Sequence, residues 1–263
     1  MPIAIHSLTT HAEIFAVEQL QRDAWGVPDI DVVPLHMLIT PPRHGGLLLG
    51  AFDGERLAGF VFGFLGLTPD GRLKHCSHMA GVHPDYRNQG VGYALKLAQR
   101  EHVLAQGLDL ITWTFDPLET RNAQLNFHKL GVICNTYIRN LYGPMRAAIN
   151  AGPPSDRFEV EWWIRSQRVA QRLQASSTPP GASISASLSA VPIRCGIPGP
   201  PDASQLLLEV PTNFQAIKHS DMPLAIQWRL RTRQLFEDAF SQGYVVTDLL
   251  RHDDRCHYLL ERL

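Results

Sequence analysis

The residues most able to do chemistry form one short stretch, residues 83–94, with the sequence HPDYRNQGVGYA. The stretch joins a predicted strand to a predicted helix, and a helix N-terminus offers unpaired N–H groups and the positive end of a dipole. Gly90 and Gly92 lack the Cβ atoms that would keep a ligand away from the backbone, and Arg87 adds a cation beside the turn. The stretch therefore predicts a cradle for a phosphate or pyrophosphate group.

Two common phosphate-binding motifs do not describe this cradle. No Gly-Lys-Ser or Gly-Lys-Thr follows the glycines, which excludes a Walker A loop. The dinucleotide-binding fingerprint has three glycines at a different spacing, and it follows a parallel strand. The chemistry of the cradle therefore depends on the elements that position it.

The elements before the cradle are predicted as one helix and three strands. Thr10 and Glu13 have the spacing of a capping box, which starts a helix that continues to about Trp25. Apolar runs follow, and the Asp-Gly pairs between them favour tight hairpin turns. The predicted antiparallel strands are residues 46–52, 57–67 and 73–82, with turns at 53–54 and 70–71.

The elements after the cradle alternate between helix and strand. Apolar residues at three- and four-residue spacing predict a helix over residues 91–106, which Gly107 ends. A buried strand is expected over residues 108–115, followed by a helix to about Leu130. Further strands are expected over residues 132–142 and 157–165.

The last third of the chain changes character. Residues 175–204 are rich in Ser, Pro, Gly and Ala, which is typical of a linker. Beyond them the patterns predict a strand, a helix and a hairpin, which are too short for a core of their own. We expect this segment to pack on the first domain or on a partner subunit. The predicted organisation is a first domain over 1–166, a helix end and linker over 167–204, and a β-α-β-β segment over 205–263.

Composition limits the classes of function. The 263 residues carry a formal net charge of −1, so no basic excess points to nucleic acid or to an anionic membrane surface. No apolar run is long enough for a transmembrane helix, and the N-terminus lacks the layout of a signal peptide. The four cysteines are widely spaced and form no Cys-x-x-Cys pair, which predicts a cytoplasmic protein without disulfides or a metal site.

The pattern Arg87-x-x-Gly90-x-Gly92, after a strand that ends in Val82-His83-Pro84, resembles the acetyl-CoA signature of the GNAT N-acetyltransferase superfamily. The predicted order of helices and strands is similar to that of this family over roughly residues 1–166. Residues 122–131 are similar to the family's second CoA-side helix, often written Ala-x-x-x-Tyr-x-Lys-x-Gly. The resemblance implies an α+β fold, with a mixed, mostly antiparallel sheet flanked by helices. The small C-terminal segment lies outside the resemblance and is expected to pack on this sheet.

The resemblance also implies acyl transfer from acetyl-CoA or another acyl-CoA. The CoA pyrophosphate would lie beside Arg87, held by backbone N–H groups of the cradle from Asn88, Gln89, Gly90, Val91, Gly92 and Tyr93. The pantetheine amides would pair, like an added strand, with the strand edge formed by Met79, Ala80, Gly81 and Val82. An amine would then attack the thioester directly, with a backbone N–H as oxyanion donor.

Direct attack needs a neutral amine, and His78 is the candidate base. An imidazole titrates near neutral pH, and the position resembles a histidine that a relative in this family uses to deprotonate its amine. The other interpretation is a strand histidine whose ring is satisfied by a backbone carbonyl. His75 and His83 are weaker candidates, on the opposite strand face and in the loop.

The acid that would protonate the leaving thiolate is open. Many family members have a tyrosine where this chain has Phe127, and a phenyl ring has no proton to give. Tyr137 is the candidate catalytic substitute, with Tyr142 as a second choice, while water or release as thiolate would also suffice. Asn122 and Asn126, one helical turn apart, are expected to hydrogen-bond the pantetheine arm, unless Asn126 only holds a helix end.

The sequence therefore predicts an acyl-CoA-dependent N-acyltransferase for the amine of a small molecule, with amino acids as one class of acceptor. Two alternatives stay open: an acyl-CoA sensor without turnover, suggested by Phe127, and an acyltransferase for protein N-termini or lysines. Acetyl-CoA is the expected donor, and succinyl-CoA is another option. The C-terminal segment leaves a homodimer open.

Overall fold

The computed structural model of the chain describes residues 3–145, 152–176, 191–193, 203–252 and 255–263. These residues form two compact units that divide at Trp113, inside a strand. The first unit holds the described residues up to Trp113, and the second unit holds those from Thr114 onward. The domain boundary predicted at residue 166 marks the end of the expected acyl-CoA-binding domain, and it stays a prediction.

The first unit is built on a twisted meander followed by one parallel strand. Its strands lie in the order β1-β2-β3-β4-β5, with β1 to β4 antiparallel and β5 parallel to β4. The two predicted Asp-Gly hairpins are confirmed, with Gly54 and Gly71 at φ +61° and +82°. The bounds are β1 Ala4–Ser7, β2 Leu47–Asp53, β3 Arg56–Leu67, β4 Leu73–Val82 and β5 Leu110–Phe115.

Helices cover this sheet, and their bounds are α1 His11–Trp25, α2 Leu35–Ile39 and α3 Val91–Ala105. The predicted capping box is confirmed, because the Thr10 hydroxyl accepts from the Glu13 N–H and the Glu13 carboxylate accepts from the Thr10 N–H at 2.9 Å. Gly26, at φ +63°, ends α1. α1 and α2 close one apolar core with β2 and β3, formed by Leu8, Ile14, Val17, Leu20, Leu38, Leu48, Leu57, Phe60 and Phe62.

The second unit has its own, mostly antiparallel sheet. Its strands lie in the order β7-β6-β10-β11-β9-β8, and only the β8–β9 pair among these described strands is parallel. The strand bounds are β6 Ile133–Ile138, β7 Arg157–Trp163, β8 Val191–Ile193, β9 Gln205–Val210, β10 Val245–His252 and β11 Arg255–Glu261. The helix bounds are α4 Thr120–Ala123, α5 Gln167–Ser176, α6 Phe214–Ser220 and α7 Met222–Ser241. The mixed, mostly antiparallel arrangement flanked by helices confirms the predicted α+β fold class.

An aromatic core holds the second unit together. Phe158 on β7 meets Phe236 on α7 edge to face, with ring centroids 4.7 Å apart. Tyr258 on β11 packs against both rings and donates its hydroxyl proton to the carbonyl of Pro117 at 2.6 Å. The C-terminal segment therefore shares one core with residues 114–163, as its apolar helix face indicates.

The predicted linker falls largely outside the described residues. Its described part contains α5 and β8, the latter paired with β9. None of the described helices combines the length and apolar character that a membrane span needs.

Candidate active site

The cradle predicted from the sequence is a tight turn between β4 and α3. Asn88 and Gly90 both lie in the left-handed region, at φ +64° and +82°, and Gly90 caps the helix. The first helical hydrogen bond of α3 runs from the Ala94 N–H to the Gly90 carbonyl at 3.0 Å. The backbone N–H groups of residues 91–93 precede that bond at the positive end of the helix.

Neither glycine of the cradle is explained by packing inside the protein. A Cβ built at Gly90 would meet no atom within 4 Å, and one built at Gly92 would meet only Val82 Cγ2, at 3.7 Å. The positive φ accounts for Gly90, but Gly92 has no such requirement. The missing side chains therefore leave the helix N-terminus open to a ligand.

Side chains brace the cradle from below. Arg87 donates to the carbonyl of Ala24 at the C-terminal end of α1, with a distance of 2.6 Å. Arg56 donates to the Asp85 carboxylate at 2.8 Å, and the Tyr86 hydroxyl donates to Asp53 at 3.1 Å. Arg87, predicted as a cation beside the turn, thus also anchors the turn to α1.

The strands that lead to the cradle separate. The register of β4 with β5 pairs His75 with Ile111 and Cys76 with Thr112, and it ends there. β4 continues to Val82, and on its other side Met79, Ala80, Gly81 and Val82 stay paired with β3. The predicted divergence of the two strands is therefore present, beginning after Cys76.

His78 lies on β4 just beyond this divergence, at a β-bulge. Ser77 pairs with Gly63 and Met79 pairs with Phe62, so His78 is the extra residue between two paired positions. The His78 side chain is accessible to solvent on one side. On the other, its ring centroid lies 6.3 Å from that of Phe62 and 5.7 Å from that of Phe64. Partial burial against these rings lowers the pKa of His78, which favours the neutral imidazole that can accept a proton.

The other two candidate histidines, His75 and His83, form hydrogen bonds within the protein. His75 is fully buried, accepts from the Gln99 amide at 3.2 Å, and has its pKa lowered by burial to about 3. His83 accepts from the Asp85 N–H and caps the turn after β4. Within the described part of the chain, the His78 ring has no hydrogen-bond partner, in contrast to the backbone-carbonyl interpretation.

The helix after β5 departs from the regular geometry predicted for it. α4 ends at Ala123, and residues Gln124–Leu130 continue as a π-helix, a form often found at functional sites. Asn122 is exposed, whereas Asn126 is buried, so the two predicted pantetheine contacts differ in accessibility. Phe127 is fully buried and its ring lies 5.7 Å from that of Tyr258, which makes it a core residue.

The two tyrosines considered as acids lie in different surroundings. The Tyr137 hydroxyl donates to Asp156 at 2.8 Å, and burial beside that carboxylate raises the pKa of Tyr137 far above its usual value. Arg233 also donates to Asp156, so the carboxylate that holds the Tyr137 hydroxyl is itself held by a cation. The ring of Tyr142 is partly exposed, and its hydroxyl shares a hydrogen bond with Thr114 on β5 at 3.0 Å.

A buried polar cluster under β4 was missed by the sequence analysis. Lys96 on α3 is 5% exposed and donates to the Ser77 hydroxyl at 2.7 Å and to the Gln99 carbonyl oxygen at 3.1 Å. Its ammonium lies 3.7 Å from the centre of the Trp113 ring. The signal that could have found it is a lysine inside the buried stripe of α3, between Leu95 and Gln99.

Across the described ranges, no group of three or more His, Cys, Asp or Glu side chains is arranged to hold a metal ion.

Solved structures with the same fold are acetyltransferases. The ribosomal-protein-S18-alanine N-acetyltransferase from Escherichia coli is 19% identical with a TM-score of 0.50, covering 63% of this chain and 96% of that chain. The NatC complex bound to Gag peptide and CoA is 15% identical with a TM-score of 0.50, covering 61% of this chain and 98% of that chain. At these identities the likeness shows the fold. No curated protein sequence matches the chain significantly.

The sequence pattern of the acetyltransferase (GNAT) family matches residues 14–132. This range contains the cradle, the diverging strands, His78 and the helix after β5. Residues 14–132 therefore match the acetyltransferase (GNAT) family, and acyl transfer from acetyl-CoA is the chemistry that this match supports.

Proposed function

We propose that this chain transfers an acetyl or another small acyl group from acyl-CoA to the amine of a small molecule, with amino acids as one acceptor class. The observation that carries the proposal is the edge of β4 that β5 leaves unpaired. This edge begins after Cys76, and it runs from His78 to the cradle. A donor bound along this edge has its pyrophosphate at one end and its thioester at the other.

The dimensions of β4 fit the pantetheine arm. From Val82 back to Ser77 the strand spans about 16 Å at roughly 3.3 Å per residue. The arm has about twelve bonds between pyrophosphate and sulfur, equivalent to roughly four extended residues or ~14 Å. With the pyrophosphate on the N–H groups of residues 88–93 and the amides paired with Met79–Val82, the sulfur reaches the level of Ser77 and His78.

The proposed reaction is direct attack without a covalent enzyme intermediate. His78 removes a proton from the ammonium form of the acceptor, which frees the nitrogen lone pair. That nitrogen bonds to the thioester carbonyl carbon while a backbone N–H of β4 stabilises the developing oxyanion. The carbon–sulfur bond then breaks and the nitrogen loses its second proton to water, giving the amide and CoA thiolate.

The surroundings of His78 favour a small acceptor with an apolar part. Phe62 and Phe64 flank the imidazole, and the Phe64 side chain is 36% exposed. An amine delivered to the imidazole would rest its carbon skeleton on these rings. A sensor without turnover would have no use for an exposed, neutral histidine at the point where the thioester lies.

The experiment that tests the function is a screen for CoA release. Purified protein would be mixed with acetyl-CoA or succinyl-CoA and with amino acids, small amines and N-terminal peptides. We expect release with small amines and with at least one donor. CoA binding without release for any pair would favour the sensor, and release with peptides alone would favour a protein acetyltransferase.

His78→Ala is expected to lower turnover roughly a hundredfold with CoA affinity nearly unchanged. The loss should shrink at high pH, where the free amine is already neutral. His219→Ala, an exposed histidine on α6, is the matched control and should retain wild-type turnover. Steady-state kinetics between pH 6 and 10 would check this, and wild-type turnover of His78→Ala at neutral pH would remove His78 from the mechanism.

Gly90→Val is expected to weaken CoA binding by an order of magnitude or more, because a side chain at φ +82° distorts the cradle and covers its N–H groups. Gly71→Val is a matched control, since Gly71 has the same φ and equally open space but lies in the β3–β4 hairpin. Calorimetry would show equal affinities for both variants if the cradle were wrongly assigned.

A further inference from the structure

The Lys96 cluster, formed by Ser77, Lys96, Gln99 and Trp113, lies where β4 and β5 separate. The last register pair is Cys76 with Thr112, so Ser77 and Trp113 are the next residues of the two strands. Lys96 contacts both of them, with its ammonium 2.7 Å from the Ser77 hydroxyl and 3.7 Å from the centre of the Trp113 ring. The cation therefore lies directly under the point of separation, on the α3 side.

The buried Lys96 ammonium is held by neutral groups. Among the residues that the structure describes, no carboxylate pairs with Lys96, and its ammonium bonds only with the neutral groups of Ser77 and Gln99. Burying a cation without a carboxylate is unfavourable for folding, and a methionine or leucine would fill the same space at lower cost. The charge is therefore better explained by chemistry at the strand separation than by stability.

We infer that Lys96 supplies the proton that the leaving CoA thiolate takes up, through the hydroxyl of Ser77. This inference rests on the proposed function, which places the sulfur at the level of Ser77. It also fills the acid role that Phe127 cannot perform and that Tyr137, bonded to Asp156, does not offer.

The proton transfers balance. When the carbon–sulfur bond breaks, the bonding electron pair goes to sulfur. The Ser77 hydroxyl, which donates to the Gln99 side-chain oxygen at 3.0 Å, rotates towards the thiolate and gives it this proton. Ser77 takes a proton from the Lys96 ammonium, with which it already shares a hydrogen bond, and Lys96 becomes a neutral amine. Before the next turnover Lys96 regains a proton from solvent, while the two protons lost by the acceptor nitrogen leave to solvent, one through His78 and one directly.

The acidity of Lys96 suits this role. Burial lowers the pKa of Lys96 to about 7, so at neutral pH the group both holds a proton and gives it up readily. The titratable group next to it is His75 on β4, which is in turn close to His102 on α3. Burial lowers the pKa of both histidines, which keeps them uncharged. Neither histidine therefore competes as the cation.

The test uses the full chain with Lys96→Met and Ser77→Ala. Each variant should lose roughly a hundredfold in turnover, while CoA affinity measured by calorimetry stays within about threefold of wild type. Arg100→Met, one turn further on α3 and paired with the Glu101 carboxylate, is the control and should keep wild-type turnover. Ser77→Ala tests the same relay independently, because it leaves Lys96 in place and removes only the hydroxyl between Lys96 and the sulfur.

The pH profile separates a proton donor from a merely structural lysine. In the wild type, turnover at saturating amine should fall as the pH rises through about 7, because Lys96 loses its proton there. The Lys96→Met profile should lack this alkaline limb. Independently of activity, the wild-type minus Lys96→Met tryptophan fluorescence should titrate near the same pH, because the ammonium lies over Trp113.

The possible failures are distinguishable. Wild-type turnover in both variants, or an unchanged alkaline limb in Lys96→Met, would overturn this inference and leave the proposed function standing. A wild-type protein that binds CoA but releases none with any donor and acceptor would overturn the proposed function, and this inference with it.

Discussion

A chain that ends at Gln174 will not fold beyond Trp113. The missing residues supply Phe236 and Tyr258, both fully buried against Phe158. Truncating a buried aromatic side chain costs roughly 3–5 kcal/mol, so these two alone approach the whole stability of a typical domain, about 5–15 kcal/mol.

Lost ion pairs add to the effect of this truncation. Asp156 is fully buried and bonds with Arg233, and Asp116 bonds with Arg229, both from α7. Removing the partner of a buried charge costs about 3–5 kcal/mol. In addition, β6 loses its pairing with β10 at Val246 and becomes an edge strand, which favours aggregation.

Size-exclusion chromatography and thermal unfolding would measure the outcome. We expect aggregated protein or a melting temperature far below that of the full chain. Co-expression of residues 175–263 as a separate chain should restore solubility, because the missing core is then supplied in trans. A soluble, monomeric truncation with an unchanged melting temperature would show that the C-terminal segment is an independent appendage.

Lys96→Met will make the folded protein more stable near neutral pH. Burial lowers the pKa of Lys96 from 10.5 to about 7, and at about 1.4 kcal/mol per pKa unit the upper bound of the gain is about 5 kcal/mol. The lost hydrogen bonds to Ser77 and Gln99 reduce this gain, although those two side chains remain bonded to each other at 3.0 Å.

The pH dependence identifies the cause of this gain. Between pH 7 and 10.5 the unfolded wild type holds a proton on Lys96 that the folded protein lacks, so its stability rises with pH over this window. Lys96→Met lacks that rise, and the two proteins should converge near pH 10.5. Urea unfolding at several pH values would check this, with Arg100→Met as control. A Lys96→Met protein less stable than wild type at pH 7 would contradict it.

The parts of the fold that depend on neighbouring residues could be read from the sequence. The capping box at Thr10, the Asp-Gly hairpins and the glycine cradle are local devices, each specified by residue types a few positions apart. The cradle's place between a strand and a helix was predictable for the same reason. β1 was not predicted, because its four residues have no clear alternation and are held by pairing with β2.

The features that decide the chemistry depend on distant residues. The bulge at His78 depends on how β4 pairs with β3, and no residue type in β4 predicts it. Phe127 was predicted to leave the acid role empty, but its burial against Tyr258 comes from a strand 131 positions later. Lys96 was overlooked because a lysine on a helix is normally solvated.

The bracing under the cradle has a consequence for how quickly the protein captures CoA. Arg87, Arg56 and Tyr86 fix the turn before any ligand arrives, so the entropy of ordering the loop is lost during folding and not during binding. Association then needs no slow rearrangement of the loop, and its rate is set by encounter and orientation. Differences in affinity among acyl donors will therefore be differences in residence time.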